Sequence, residues 1–104
     1  MSHYTADYDP YADANLTPVG CVAADLSYEY DEFHVFKHAD GRLLWEITSG
    51  CSCSYPFEDC TSSDEFTPAT AQEIHAALDK WAAYSYREVS LGEVADLHAK
   101  IASA

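Results

Sequence analysis

Residues 33–48 read FHVFKHADGRLLWEIT, and they contain the clearest signal of local structure in the chain. Two runs rich in aromatic and branched side chains flank Asp40 and Gly41, and an Asp-Gly pair in that setting is the strongest short-range signal of a β-hairpin. With Asp40-Gly41 as a two-residue turn, Phe36 opposes Trp45, whereas a bulge at Gly41 would shift the pairing by one residue. The two-residue turn predicts a single face that carries His34, Phe36, His38, Leu43, Trp45 and Ile47.

A further strand is predicted before the hairpin. Residues 22–31 read VAADLSYEYD, and apolar or aromatic side chains alternate with small or polar ones over the whole run. A period of two is typical of a half-buried strand. We therefore expect one continuous strand here, followed by the two strands of the hairpin.

Two helices are predicted to follow. The first begins either at Thr67, which precedes a proline suited to the first turn, or at Thr70, where Glu73 completes a capping box. The second opens with Ser90 and Glu93 at the same capping-box spacing. Apolar residues recur at helical spacing in both segments. The expected buried stripes are Ile74, Leu78 and Trp81 in the first helix, and Leu91, Val94, Leu97 and Ile101 in the second.

The order of the elements places the chain in the α+β class. Strands come first and helices after, so we expect a three-stranded antiparallel β-meander with two C-terminal helices packed on one face. The chain has 104 residues, which suits a single domain. Residues 1–19, rich in tyrosine and aspartate, are predicted to be an N-terminal arm, and residues 20–104 the single α+β domain.

The charge of the chain is strongly negative. There are 18 acidic and 5 basic residues, and the net charge is −13. Such a chain repels phosphate groups, so we expect no direct binding to nucleic acid or to an anionic membrane. The start of the sequence lacks the basic and apolar segments of a secretion signal, and no apolar run approaches a membrane span. These features predict a cytosolic protein with reduced thiols.

The acidic residues have two interpretations. One is a well-solvated surface, and the other is a negative surface that docks on a basic protein, in one version as a mimic of DNA. Aromatic side chains beside acids have the composition of a protein-binding hot spot, although Phe57 could equally anchor its loop in the core. The candidate contact residues are Tyr28, Glu29, Tyr30, Asp31 and Glu32 on the strand, and Tyr55, Phe57, Glu58 and Asp59 in the loop.

Three of the four cysteines lie in residues 50–60, which read GCSCSYPFEDC. Cys51, Cys53 and Cys60 could bind zinc through thiolates, with Cys21 or a histidine (His34, His38 or His75) as the fourth ligand. The C-x-C-x6-C spacing differs from the C-x2-C zinc knuckle. Buried cysteines that only pack, and a disulfide, are the alternatives, and all three remain open at this point.

No catalytic constellation stands out. Cys51, His75 and Asp59 have the residue types of a thiol-hydrolase triad. The sequence lacks the nucleophile elbow or oxyanion hole that makes a thiol catalytic. His34 and His38 could line an aromatic pocket, although a packed or solvated histidine is the simpler interpretation. We therefore expect a protein that is not an enzyme and that has no cofactor other than zinc.

The strand LSYEYDEFHVF and the following run LLWEITSGCSCSYPFEDCT resemble a group of small uncharacterised proteins encoded by tailed phages of actinobacteria. The resemblance covers about residues 20–85, and its most specific part is the G-C-S-C…P-F-E-D loop of Gly50–Cys53 and Pro56–Asp59. It implies a small accessory protein in the cytoplasm of an infected bacterium, and it carries no catalytic residue.

Two hypotheses from different classes follow. The first is a non-enzymatic phage accessory protein that binds a host or defence protein through its acidic, tyrosine-rich surface. The second is a small zinc-stabilised structural module with its ligands in residues 50–60. An exposed strand edge would also permit a homodimer by edge pairing.

Overall fold

The computed structural model describes residues 8–24, 29–51, 57, 62–84 and 89–104. Its regular elements are four strands, two helices and one short 3-10 turn. In chain order they are β1 (Leu16–Ala23), β2 (Glu29–His38), β3 (Leu43–Cys51), the 3-10 turn (Ser63–Glu65), β4 (Thr67–Ala69), α1 (Ala71–Tyr84) and α2 (Leu91–Ser103).

The protein is an α+β fold with one antiparallel sheet and two helices, as the sequence predicts. The sheet has the strand order β1-β2-β3-β4, so the prediction of three strands was wrong. The additional strand β4 is only three residues long and contains Pro68. So short an edge strand has no recognisable period, and proline is tolerated there because the edge lacks one set of ladder hydrogen bonds.

The run of residues 22–31 does not form one strand. Its first residues end β1 and its last residues begin β2, and the two strands pair antiparallel with Ala23 opposite Glu32. The Ala24 N–H donates to the Asp31 carbonyl at 2.9 Å, which continues the pairing beyond β1. The run with apolar–polar alternation therefore contains the end of one strand and the start of the next.

The β2–β3 hairpin forms at Asp40-Gly41, but its register differs by one residue from the two-residue turn. Phe36 pairs with Leu44 and Val35 with Trp45. The loop contains three residues, because Gly41 adopts a positive φ of 96° and the His38 N–H donates to the Arg42 carbonyl at 2.7 Å. A glycine in the left-handed region is what a three-residue hairpin loop with a bulge requires. His34 and Phe36 consequently face away from Trp45, and the predicted common face was wrong.

Both helices pack on one side of the sheet. Thr70 and Glu73 form the capping box of α1, with the Thr70 N–H donating to Glu73 Oε1 at 2.9 Å and the Glu73 N–H donating to Thr70 Oγ1 at 3.2 Å. Ser90 caps α2 through the Glu93 N–H. The predicted stripes are buried except Leu91, which is 80% exposed. This core consists of Val22, Ala24, Phe33, Val35, Ile74, Leu78, Trp81, Val94, Leu97 and Ile101.

The strand β1 lies close against α2 because of a glycine. A Cβ atom on Gly20 would lie 2.9 Å from Leu97 Cδ1, a distance that real Cβ contacts essentially never show. The register between β1 and β2 shifts between Pro18 and Gly20, which indicates a bulge in this edge strand. Both edge strands thus contain a proline, a feature that natural sheets use to limit edge pairing.

The opposite side of the sheet carries a second apolar cluster, which we call the outer aromatic cluster. Its buried members are Leu16, Phe36, Leu44, Phe57 and Phe66. Tyr8 contacts Phe66 edge-on, and Pro10 is fully buried, so the segment around residues 8–13 covers this side. Neither of the described helices is long and apolar enough to cross a membrane.

Candidate functional site

Two neighbouring carboxylates at the start of β2 form hydrogen bonds on opposite sides of the sheet. The Trp81 indole N–H of α1 donates to Asp31 Oδ1 at 2.9 Å on the helix side. On the opposite side, Glu32 Oε1 lies 2.8 Å from His34 Nε2. We call Asp31 and Glu32 the anchored acid pair, because each carboxylate is fixed through one oxygen by a ring nitrogen, from Trp81 of α1 for Asp31 and from His34 of β2 itself for Glu32.

The contact to Glu32 is one link of a longer hydrogen-bonded chain. The Tyr11 hydroxyl lies 2.6 Å from His34 Nδ1, so His34 bridges Tyr11 and Glu32. Since an ionised carboxylate only accepts, His34 Nε2 carries the proton and donates to Glu32. In neutral His34, Nδ1 then holds a lone pair and accepts from the Tyr11 O–H. The chain of donors and acceptors is complete from Tyr11 to Glu32.

Burial controls the protonation of this chain. His34 is only 4% exposed, and its burial lowers its pKa, although the hydrogen bond and negative charge of Glu32 oppose that shift. Burial raises the pKa of the Tyr11 hydroxyl, with further contributions from Cys21 and Glu32. Both groups are therefore neutral at neutral pH, as the hydrogen-bond assignment requires.

The thiol of Cys21 lies beside this chain. Cys21 pairs with His34 across β1 and β2, and its thiol and the Tyr11 hydroxyl are within hydrogen-bonding reach. The Cys21 residue is exposed, but partial burial of the thiol and the charge of Glu32 raise its pKa. A catalytic thiol needs the opposite shift, because the thiolate is the nucleophile. The surroundings of Cys21 therefore favour an unreactive thiol.

Phe57 packs against His34 and has an unusual backbone conformation. Its φ is +62°, in the left-handed region, and its N–H donates to Thr48 Oγ1 at 3.1 Å. The Phe57 ring lies 4.8 Å from the His34 ring, centroid to centroid, in an edge-on contact, and the residue is 6% exposed. Of the two interpretations of Phe57, its burial fits the anchor and not an exposed contact.

The structure describes only part of the predicted binding surface. Asp31 and Glu32 are partly exposed, and Tyr30 is half-buried in β2. Glu29 begins β2, but its side chain lies outside the described part of the chain. Four other candidates also lie outside the described residues, namely Tyr28, Tyr55, Glu58 and Asp59.

The cysteines of the zinc hypothesis are only partly described. Cys53 and Cys60 lie outside the described residues, and Cys51 is described only as the last residue of β3. Cys21 pairs with His34, whereas Cys51 pairs with Glu29, five residues along β2. That separation is about 17 Å at the rise of an extended strand, too long for Cys21 and Cys51 to bind one ion. Zinc at Cys51, Cys53 and Cys60 stays a prediction.

Among the residues that the structure describes, no group of three or more His, Cys, Asp or Glu side chains is arranged to hold a metal ion. The Tyr11–His34–Glu32 chain was not predicted from the sequence for two reasons. The two-residue turn places His34 on the same face as Trp45, and Tyr11 lies 23 residues from His34, a distance over which periodicity gives no signal. The alternation of Glu32, His34 and Phe36 along β2 was the available clue.

The burial of His34 predicts a pH dependence of stability. Its folded pKa lies below its ordinary value of 6.5, so the unfolded chain takes up a proton that the folded chain does not. The free energy of unfolding should therefore fall as pH decreases from about 7 to about 5, by at most about 1.4 kcal/mol per pH unit from this group. Denaturant unfolding at several pH values measures the slope.

The matched variants for this prediction are His34→Gln and His38→Gln on the same strand. Glutamine does not titrate, but its amide can still donate to Glu32 and accept from Tyr11. We expect His34→Gln to flatten the pH dependence and His38→Gln, which replaces a more exposed histidine, to leave it nearly unchanged. Equal slopes for the wild type and His34→Gln would show that burial does not keep His34 neutral.

No curated protein and no solved structure matches this chain. A family model matches residues 5–104, which include every residue of the site described above. The chain therefore belongs to the family described as a domain of unknown function, DUF7574.

Proposed function

We propose that this protein is a small acidic accessory protein of a tailed phage that acts without catalysis, by binding a basic surface of a host or defence protein. The anchored acid pair is the centre of the contact. The observation that carries this proposal is that two adjacent carboxylates, Asp31 and Glu32, are each fixed by a hydrogen bond from a ring nitrogen.

Fixed carboxylates favour binding for an entropic reason. A mobile acidic side chain must be ordered when it pairs with a partner, at a cost of about 0.5–1.5 kcal/mol per side chain. Asp31 and Glu32 have already lost that freedom on folding. Each uses one oxygen for its internal bond, and the second carboxylate oxygen can accept a hydrogen bond from an arginine or lysine of the partner.

Exposed apolar side chains adjoin both acids. Ile47 of β3 is 39% exposed. It pairs with Phe33, which follows Asp31 on the same face of β2, so Ile47 and Asp31 are diagonal neighbours. Tyr11 is 48% exposed, although its hydroxyl contacts the buried His34. It lies close enough to Glu32 for the negative charge of Glu32 to raise the pKa of the Tyr11 hydroxyl. Apolar and aromatic surface around a charged pair is the usual composition of a binding hot spot.

The charge of the whole chain supports the same partner class. A net charge of −13 attracts basic surfaces over several ångströms and accelerates their association at low salt. Two of the basic side chains are already paired, Arg42 with Asp40 and Lys100 with Asp96. The phage origin and the infected bacterial cytoplasm rest on the resemblance of residues 20–85 alone.

The test is capture of a partner from a bacterial lysate with the immobilised protein. The variant Asp31→Asn with Glu32→Gln removes two charges but keeps an acceptor for Trp81 and for His34. The control Asp64→Asn with Glu65→Gln removes two charges from adjacent exposed acids of the 3-10 turn, and the glutamine can still accept from the Ser62 N–H. We expect the first variant to lose a partner that the wild type and the control both retain, and that partner to elute with increasing salt.

The result also distinguishes the versions of the proposal. Displacement of the captured partner by duplex DNA would identify a mimic of DNA, whereas indifference to DNA would indicate a basic surface of another kind. A partner that is retained equally by all three proteins would contradict a role for the anchored acid pair. Loss of the partner from both variants alike would mean that only total charge matters.

A further inference from the structure

Two histidines meet between the C-terminal helices, away from the anchored acid pair. His75 of α1 and His98 of α2 approach each other with their Nδ1 atoms 2.6 Å apart. His98 Nε2 lies 2.8 Å from Asp79 Oδ1, one turn after His75 on α1. The His98 side chain is 26% exposed and that of Asp79 is 71% exposed, so solvent reaches this group.

The two imidazole rings meet edge to edge. Their planes differ by 24° and their centroids are 4.9 Å apart. For a given distance between the two nitrogens, the centroids are farthest apart when both nitrogens lie on the line that joins the centroids. The observed separation is close to this maximum, so both nitrogens lie nearly on that line. The lone pair of an unprotonated imidazole nitrogen lies in the ring plane and points outward along this line. The Nδ1 positions of His75 and His98 are therefore directed at each other.

Asp79 determines which nitrogen of His98 carries the proton. The carboxylate accepts from Nε2–H, so in neutral His98 the Nδ1 atom holds a lone pair. His75 then donates its Nδ1–H to that lone pair. If the His75 proton moves to its Nε2, two lone pairs face one position, and a cation can replace the shared proton. A carboxylate behind a ligating histidine is the usual support of a metal ligand.

We propose that His75 and His98 bind one transition-metal ion of the class that imidazole prefers, represented by zinc(II), through their two Nδ1 atoms. Asp79 orients His98, and water completes the coordination. Zinc–nitrogen bonds of about 2.0–2.1 Å in a tetrahedral site place the two nitrogens roughly 3.3 Å apart. Opening the pair from 2.6 Å to this distance also requires each ring to tilt by roughly 35°, so that both lone pairs converge on one tetrahedral ion, and the partial exposure of His98 leaves room for such rotations.

The surroundings favour a cation at this position. Side chains three or four residues away on a helix share its face, and for these histidines they include Asp79 but no lysine or arginine. For His75 they are Ala71, Gln72, Leu78 and Asp79, and for His98 they are Val94, Ala95, Ile101 and Ala102. With two protein ligands, the site is weaker than a structural zinc site with four. The proposed site uses none of the cysteines of residues 50–60.

The test is a titration of the reduced full-length protein with zinc(II), followed by long-range proton–nitrogen NMR of the histidine rings. We expect the Nδ1 signals of His75 and His98 to shift together at one equivalent. His75→Gln and His98→Gln should each abolish this binding, and Asp79→Asn should weaken it by about tenfold or more. His38→Gln, which removes another histidine beside a carboxylate, should have no effect.

A variant without the loop cysteines distinguishes this site from a thiolate site. With Cys51, Cys53 and Cys60 replaced by serine, zinc should still shift the two histidine rings. Cobalt(II) bound there should lack the intense charge-transfer absorption that thiolate ligands produce. Histidine signals that do not respond to zinc in the wild type, or binding that survives in His98→Gln, would overturn the proposal. Melting curves of the metal-free variants establish that each one is folded.

Discussion

Phe57→Ala is expected to lower the free energy of unfolding by about 3–5 kcal/mol, the range for truncation of a buried phenylalanine. The Phe57 ring lies in the middle of the outer aromatic cluster, with centroids 5.6 Å from Phe66, 6.3 Å from Phe36 and 4.8 Å from His34. Removing it leaves a cavity that these rings fill only in part. Since small domains are stable by about 5–15 kcal/mol, this one change removes a large fraction of the total.

Phe57→Gly should be less destabilising than Phe57→Ala, by about 1 kcal/mol. The φ of Phe57 is +62°, a conformation that costs a residue with a Cβ atom roughly 1–2 kcal/mol and costs glycine little. Elsewhere glycine would be the worse substitution because of its greater freedom in the unfolded chain. Denaturant unfolding of both variants gives the comparison. A glycine variant no more stable than the alanine variant would contradict the left-handed backbone at this position.

Trp81→Ala should also lower the free energy of unfolding by about 3–5 kcal/mol. Trp81 is buried against the sheet, with its ring centroid 5.9 Å from that of Phe33, and it also donates to Asp31. Trp81→Phe keeps most of the packing and removes the hydrogen bond, so we expect it to cost about 1–3 kcal/mol. The difference between the two variants separates packing from the anchoring of Asp31.

A double-mutant cycle measures that anchoring directly. In the wild type, Asp31→Ala breaks the hydrogen bond from the Trp81 indole. In the Trp81→Phe background that hydrogen bond is already absent, so Asp31→Ala should destabilise the protein less. We expect a coupling energy of at least about 0.5 kcal/mol between the two positions, as for residues in direct contact. Additive effects would mean that the indole does not hold the carboxylate. Asp31→Asn is the control, because its amide oxygen still accepts.

The elements that the sequence predicts correctly depend on local chemistry. The capping box at Thr70–Glu73, the Ser90 side-chain cap of α2 and the hairpin at Asp40-Gly41 need only a few neighbouring residues, and the structure contains all three. The hairpin register was missed by one residue because the loop contains three residues, and an Asp-Gly pair is compatible with either length.

The parts that were missed depend on contacts that are distant in sequence. The strand β1 contains Pro18 and Gly20, which weaken any strand signal, and only its pairing with β2 makes it a strand. The outer aromatic cluster gathers residues from Leu16 to Phe66. Tyr11 and Trp81 reach His34 and Asp31 across 23 and 50 residues, so the anchoring of the acid pair could not be inferred from spacing.

Asp31 and Glu32 were predicted from the sequence as residues that contact a protein partner. Their internal hydrogen bonds determine which substitutions can test that prediction. Lysine at position 31 or 32 would place a cation against Trp81 or His34 in place of a bound carboxylate. Such a variant would lose stability as well as charge, and loss of binding would then have two explanations. Asparagine at position 31 and glutamine at position 32 keep the acceptors and change only the charge.

The most direct test of the proposed function is the dissociation constant of the captured partner, measured at low salt for three proteins. They are the wild type, Asp31→Asn with Glu32→Gln, and the control Asp64→Asn with Glu65→Gln. We expect the first variant to weaken binding by at least about tenfold, which corresponds to about 1.4 kcal/mol, and the control to change it by less than about threefold. Equal weakening by both variants, or none by either, would contradict a contact centred on the anchored acid pair.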